Sequence, residues 1–170
     1  MVRGYCFTAT IAFTITGLRI PTTAGSTAQY IHVFKINDAV PVVYSTTSSN
    51  FTTLAYIQGA PSNVIQTVNI QVNPGDIIGI LGAVGSTTSN SYSSGSSPYT
   101  SNINGNTVTL RRLLYQGAIT SGPAPNYSTE NSSSISRVEM YYTVTRGYNN
   151  AGVNNVTGPT PPFCSGNQTV

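Results

Sequence analysis

Val64-Ile65-Gln66-Thr67-Val68-Asn69-Ile70-Gln71-Val72-Asn73-Pro74-Gly75-Asp76-Ile77-Ile78-Gly79-Ile80-Leu81 is the stretch that decides the fold class. Val64, Gln66, Val68, Ile70 and Val72 share one parity, and Asn63, Ile65, Thr67, Asn69 and Gln71 share the other. Successive side chains of a strand point to opposite faces, so this alternation predicts a half-buried strand. Asn73-Pro74-Gly75-Asp76 predicts the turn that ends it. Pro presets the first central φ, and Gly accepts the positive φ that a type II turn requires next. Beyond the turn, Ile77, Ile78, Ile80 and Leu81 do not alternate, which is the pattern of a strand covered on both faces. Gly79 and Gly82 leave room there for close backbone approach.

Working outward, strand patterns recur and helical ones are nearly absent. Phe13 to Ile20 predicts an extended segment ended by Pro21. Tyr30, His32, Phe34 and Ile36 mark one face of a second segment and Ile31 and Val33 the other. Asn37-Asp38 turns the chain into Val40–Tyr44, where Val42 and Val43 favour an extended backbone. Phe51–Ile57 predicts a further strand, closed by Pro61-Ser62-Asn63. Gly85–Ser101 and Ser121–Ser134 predict long polar surface loops. Between them Asn104-Gly105 is a hairpin turn feeding Val108, Leu110, Leu113 and Leu114. Ile135–Val144 restores the alternation, with Val138, Met140, Tyr142 and Val144 against Arg137, Glu139, Tyr141 and Thr143.

Eight to ten short strands without a crossover helix predict an all-β fold: an antiparallel two-sheet β-sandwich, jelly-roll-like, with long polar loops. Residues 1–146 form the sandwich domain, and 147–170 are a Gly/Asn/Pro-rich, extended C-terminal tail. At 170 residues, such a domain buries about 70% of the surface its unfolded chain exposes.

Charged residues are only 6% of the chain, against about 25% in an ordinary soluble domain. Ser, Thr and Asn make up about a third of it, so solubility rests on hydroxyls and amides. The net charge of +3 comes from scattered residues: Arg3, Arg19, Lys35, Arg111, Arg112, Arg137 and Arg146 against Asp38, Asp76, Glu130 and Glu139. Nucleic-acid binding needs basic groups clustered on one face, and this pattern argues against it. No apolar run reaches the ~18 residues of a membrane span, and no basic-then-apolar leader opens the chain. The expectation is a soluble chain with no membrane span, any export leader lying outside this numbering.

Chemistry-bearing residues are few. His32 is the single histidine, and its place beside Tyr30 and Phe34 predicts a packed imidazole rather than a general base. Asp76 belongs to a turn and Glu139 to a strand face, so neither needs a catalytic role. The chain is predicted not to be an enzyme, with no catalytic residue, no metal site and no cofactor. Calcium would want clustered carboxylates, and Asp38 with Asn37 or Asp76 with Asn73 read better as turn caps.

Tyr92, Tyr99, Tyr127 and Tyr148 fall in polar loops and are candidate ligand-contact aromatics, since sugar rings and protein partners both pack on exposed tyrosine. The sequons at Asn50, Asn126, Asn131, Asn155 and Asn167 are candidate glycosylation sites, four of them in predicted loop or tail. Cys6 and Cys164 sit near opposite ends. In an oxidising compartment they predict a disulfide that closes nearly the whole chain, worth up to about 4–5 kcal/mol in the chain-entropy model. A bridge to a neighbouring subunit is the alternative.

Arg3-Gly4-Tyr5-Cys6-Phe7-Thr8-Ala9 followed by Phe13-Thr14-Ile15-Thr16-Gly17-Leu18-Arg19-Ile20-Pro21-Thr22 resembles the opening of a group of secreted bacterial β-sandwich surface modules with a GYWFTA…FTITGLRVPT pattern. Asn69 to Ala83 and Ser136 to Tyr142 are similar to the same group. The resemblance covers roughly residues 3–145. It implies a sandwich fold and an exported, surface-bound protein, and it carries no catalytic residue. Cys6 stands where the pattern has an aromatic.

The leading expectation is an extracellular structural subunit at the cell surface. It assembles with copies of itself into a filament or matrix through strand or tail contacts, using Val2–Thr10 or Gly147–Val170, and it carries glycan. A carbohydrate-binding or adhesive module, with glycans as partners, is the alternative. A viral capsid or spike component is the third.

Overall fold

The structure, a computed structural model, describes residues 1–21, 28–85, 98–131, 134–136 and 138–144, with the backbone of 168–169. It is an antiparallel two-sheet sandwich, and no helix occurs among the described residues. The strands are β1 (Val2–Thr8), β2 (Phe13–Arg19), β3 (Ala28–Ile36), β4 (Phe51–Pro61), β5 (Gln66–Val72), β6 (Ile77–Val84), β7 (Tyr99–Ile103), β8 (Asn106–Tyr115), β9 (Ser128–Glu130), β10 (Glu139–Thr143) and β11 (Gln168–Thr169). The large sheet has seven strands in the order β4-β3-β6-β1-β8-β7, with β9 also on β8; the small one is β11-β10-β2-β5. Consecutive strands change sheet at β1/β2, β2/β3, β4/β5, β5/β6 and β9/β10, as in a jelly roll.

The stretch quoted above builds the hinge of this architecture. In β5, Ile70 and Val72 are buried while Thr67, Asn69 and Gln71 are exposed, the expected half-buried alternation. After the Pro74-Gly75 turn, with Gly75 at φ 88°, the chain crosses to the large sheet. There β6 lies between β3 and β1 and is buried almost throughout. Its lack of alternation has a simple cause: both faces of the large sheet are covered. Ile78 and Ile80 face the small sheet across a core with Tyr5, Phe7, Phe13, Ile15, Leu18, Ile31, Val33 and Met140. Leu81 and Ala83 face the other way, into a second apolar layer with Phe34, Ile36, Leu113, Ile119, Ala124 and Tyr127.

That second layer is made by the connections at 37–50 and 116–127, and two expectations change there. Val40–Tyr44 is not a strand. Val43 makes one parallel bridge to Thr129, and Val40 and Tyr44 are exposed, since this segment lies over the sheet as a cover. Ser121–Ser134 is not a continuous surface loop: β9 within it pairs with β8 through Arg112↔Glu130, Leu113↔Thr129 and Leu114↔Ser128. The polar residues of β9 are buried because their hydroxyls are engaged, Thr129 Oγ1 donating to Val42 O at 2.8 Å and Ser128 Oγ to Thr46 O. The Gly85–Ser101 loop gives way to β7 at Tyr99, and 86–97 lie outside the described residues.

Three backbone positions require their residues. The β7–β8 turn holds Asn104 at φ 50° and Gly105 at φ 83°, the left-handed pair expected of Asn-Gly. Gly4 of β1 lies so close to β6 that an added Cβ would sit 1.8 Å from Ile80 O. The N-terminal segment is therefore no free arm. β1 is a central strand between β6 and β8, and every residue from Val2 to Phe7 is buried.

Candidate functional site

The few ionisable groups serve the frame. Glu139 on β10 sits opposite Arg19 on β2, and its Oε2 accepts from Arg19 Nε at 2.7 Å and from Tyr141 Oη at 3.0 Å. Lys35 pairs with Asp76, whose Oδ2 also accepts from Asn73 N at 2.9 Å. Burial works to raise the Asp76 carboxyl, but the bonds from Lys35 and Asn73 outweigh it and hold the group below the usual range. Asp38 accepts from Tyr127 Oη at 2.6 Å and Asn50 Nδ2 at 3.0 Å. Hydrogen bonds from Ser48, Tyr127 and Asn50 lower its carboxyl. Glu130 takes Arg112 Nε at 2.7 Å and lies 4.0 Å from Arg3 Nε. All four acids thus have structural partners. No group of three or more His, Cys, Asp or Glu side chains that would hold a metal occurs among the described residues.

His32 is fully buried. Its Nδ1 accepts from the backbone N–H of Ala124 at 3.2 Å, so the neutral ring carries its proton on Nε2 and donates to Thr53 Oγ1 at 3.0 Å. Phe34, Phe51 and Tyr56 surround it. Burial pushes the imidazole down to about 4. It is a pin that ties the 116–127 cover to β3.

Cys6 is 2% exposed in the second apolar layer, its thiol is free, and burial pushes it up to about 12. Its expected partner, Cys164, lies outside the described residues.

The candidate aromatics separate. Tyr127 is not an exposed loop residue: it is 0% exposed, packed on Phe34 and Phe51, with backbone bonds to Ser48 in both directions. Its neighbours are apolar and its hydroxyl meets Asp38, so burial satisfies both ends of the ring. Tyr99 is half-buried on β7 against the main core. Tyr92 and Tyr148 lie outside the described residues, as do Asn155 and Asn167. Of the remaining sequons, Asn50 and Asn131 are exposed and Asn126 is half-buried.

The large sheet continues beyond β1 through β8 to β7. A cleft of about 280 Å³ opens there, lined by Tyr5, Phe7, Ile103, Val108, Leu110 and Met140, with Ser101, Ile135, Ser136, Val138 and Glu139 at its margins. Two of its polar groups are engaged within the fold: Tyr5 Oη donates to Val138 O at 2.7 Å, and Glu139 is held by Arg19. Such a surface favours an apolar occupant over a sugar, which needs convergent free donors and acceptors. Beside the cleft runs the outer edge of β10. Gln168–Thr169 pairs with it antiparallel, Tyr142↔Gln168 and Tyr141↔Thr169. No motif announced this site, because its residues come from four separate segments; the alternation of Val108/Leu110 and Val138/Met140 was the only trace.

No protein-family profile, curated protein or solved structure matches this chain.

Proposed function

We propose that this protein is an extracellular structural subunit that associates with copies of itself by adding a strand from residues 147–170 to the β10 edge of a neighbour. The observation that carries the reading is the β10–β11 pair. An open sheet edge is a row of unmet donors and acceptors that templates an added strand. Residues 144–167 separate the two strands in sequence, so the same pairing made between molecules needs only a different path for that connection, as in domain swapping. When the exchange does not close on itself, it propagates as a filament or matrix.

The chemistry supports a structural role over catalysis, since the acids and the histidine are engaged in holding strands together. A surface rich in hydroxyls and amides, with exposed sequons at Asn50 and Asn131, suits a glycan-bearing protein outside the cell. The sequence resemblance to secreted bacterial surface modules points the same way.

The test is association of the full chain and of a chain lacking residues 147–170, followed by sedimentation across a hundredfold concentration range. The full chain is expected to form concentration-dependent oligomers, and the shortened chain to stay folded and monomeric. A full chain that remains monomeric at the highest concentration overturns the proposal, and glycan-array binding by the shortened chain would favour the adhesive alternative.

A further inference from the structure

We propose that residues 116–126 form an acid-released flap over the outer face of the large sheet, with His32 as its latch. The segment leaves β8 after Tyr115 and is fixed again at Tyr127, whose backbone pairs with Ser48 in both directions. Between those anchors only Ile119 and Ala124 are buried. Their seat is the apolar layer with Phe34, Ile36, Leu81 and Leu113. Three hydrogen bonds tie the segment down, and each uses a side chain of β3 or β4. Tyr56 Oη donates to Ile119 O at 2.6 Å, Gln58 Nε2 to Thr120 O at 3.0 Å, and Ala124 N to His32 Nδ1 at 3.2 Å. With so light a hold, the segment opens more readily than the sheet beneath it unfolds.

The latch depends on the charge of one ring. Pro123 and Pro125 flank Ala124, so the Ala124 N–H is the one backbone donor of that tripeptide, and the imidazole takes it. Nδ1 accepts only while it carries no proton; once protonated, it sets N–H against N–H. Nothing around the ring compensates the buried cation. The titratable groups of this layer are Tyr30, Tyr56, Tyr115, Tyr127 and Cys6, phenols and a thiol that carry no charge in acid. Asp38 is held by Tyr127 and Asn50, and Lys35, of opposite parity on β3, is paired with Asp76. Moving Ala124 away removes the conflict and lets water reach the ring. Closed, burial holds the imidazole at about 4; open, it returns to its ordinary 6.5. The lower value belongs to the closed state, so closure is fully supported above pH 6.5 and is lost as pH falls toward 4. Linkage raises the opening constant about 25-fold between pH 7.5 and pH 5.

Hydrogen exchange of the full chain, corrected for the intrinsic rate at each pH, tests this at the Ala124 amide. The β6 amides of Ile78 and Ile80 serve as the measure of global unfolding. Ala124 is expected to be at least about tenfold less protected than β6 at every pH. Its protection should fall about 25-fold from pH 7.5 to pH 5. In His32→Asn, which does not titrate, it should stay within about threefold over that range. Tyr56→Phe removes a flap bond but no group that titrates in acid. It should lower Ala124 protection several-fold at every pH while keeping the slope, and it decides the matter where His32→Asn does not fold. Ala124 protection equal to that of β6, or a parent slope below about threefold, overturns the flap. Parental protection in Tyr56→Phe, or the parental slope in His32→Asn, overturns it as well.

Discussion

Acidification should weaken this fold through one side chain before its carboxylates begin to titrate. His32 is the only histidine, and burial depresses it from 6.5 to about 4. Its Nδ1 accepts from Ala124 N, so protonation would set a ring N–H against a backbone N–H. The aromatic rings around it and the Thr53 hydroxyl offer no counter-charge. The folded-state value lies below the unfolded one, so the unfolded chain binds the extra proton first. Stability is therefore fully present above pH 6.5 and falls as pH drops toward 4. Linkage puts the loss at about 1.4 kcal/mol by pH 5.5 and about 2.5 kcal/mol by pH 4.5. For a chain of 170 residues, that is a Tm lower by about 5–10 °C at pH 4.5 than at pH 7.5. Urea unfolding followed by circular dichroism at half-unit pH steps measures it. His32→Asn, which does not titrate, should start less stable and lose the slope between pH 7 and 5. A parent whose stability is flat over that range, or a variant that keeps the same slope, would refute the reasoning.

Other consequences follow from individual contacts. Gly4→Ala forces a Cβ to within 1.8 Å of Ile80 O and should cost about 3 kcal/mol or more by prising β1 from β6; its soluble yield and Tm measure this, and near-parental values would show the strands free to shift. Glu130→Gln leaves Arg3 and Arg112 adjacent without their shared carboxylate. It should cost about 2 kcal/mol, below the range for a fully buried pair because Glu130 is partly solvated; chemical denaturation reads it, and a neutral result would place the pair with surface ion pairs. In a Cys164→Ser chain, Cys6 should resist a thiol reagent at pH 8 and react on unfolding, because it is buried and held up to about 12. Native labelling at the rate of a free thiol would contradict its burial.

How much was legible depended on whether neighbours in space were also neighbours in pattern. β5, the Pro74-Gly75 turn and β6 were readable because alternation, turn chemistry and loss of alternation follow one another along the chain. The Asn104-Gly105 hairpin was readable because its strain is local. β9 was not, since Ser128-Thr129-Glu130 has a loop composition and becomes a strand only through Arg112 and the carbonyls of Thr46 and Val42. The burial of Tyr127 is not legible for the same reason: its partner Asp38 is 89 positions away. Nor is the central place of β1, because a central strand and an extended terminus share one pattern. The cleft was legible only as two alternating runs. Its lining comes from β1, β7, β8 and residues 135–140, and no single segment encodes that meeting.

The scarcity of charge acquires a structural meaning from where the charges went. Arg19 with Glu139 joins β2 to β10, Arg112 with Glu130 joins β8 to β9, and Lys35 with Asp76 joins β3 to the turn after β5. Each pair crosses between segments that sequence separates, so the charges act as fasteners of topology. The remaining surface is largely hydroxyl and amide. Copies of such a molecule meet with little like-charge repulsion, but equally with little long-range attraction. Specific contact then has to come from short-range features, and the β10 edge, where Tyr141 and Tyr142 pair with Thr169 and Gln168, presents one beside the cleft. Under the proposed strand docking, that row of backbone hydrogen bonds supplies the attraction that charge does not.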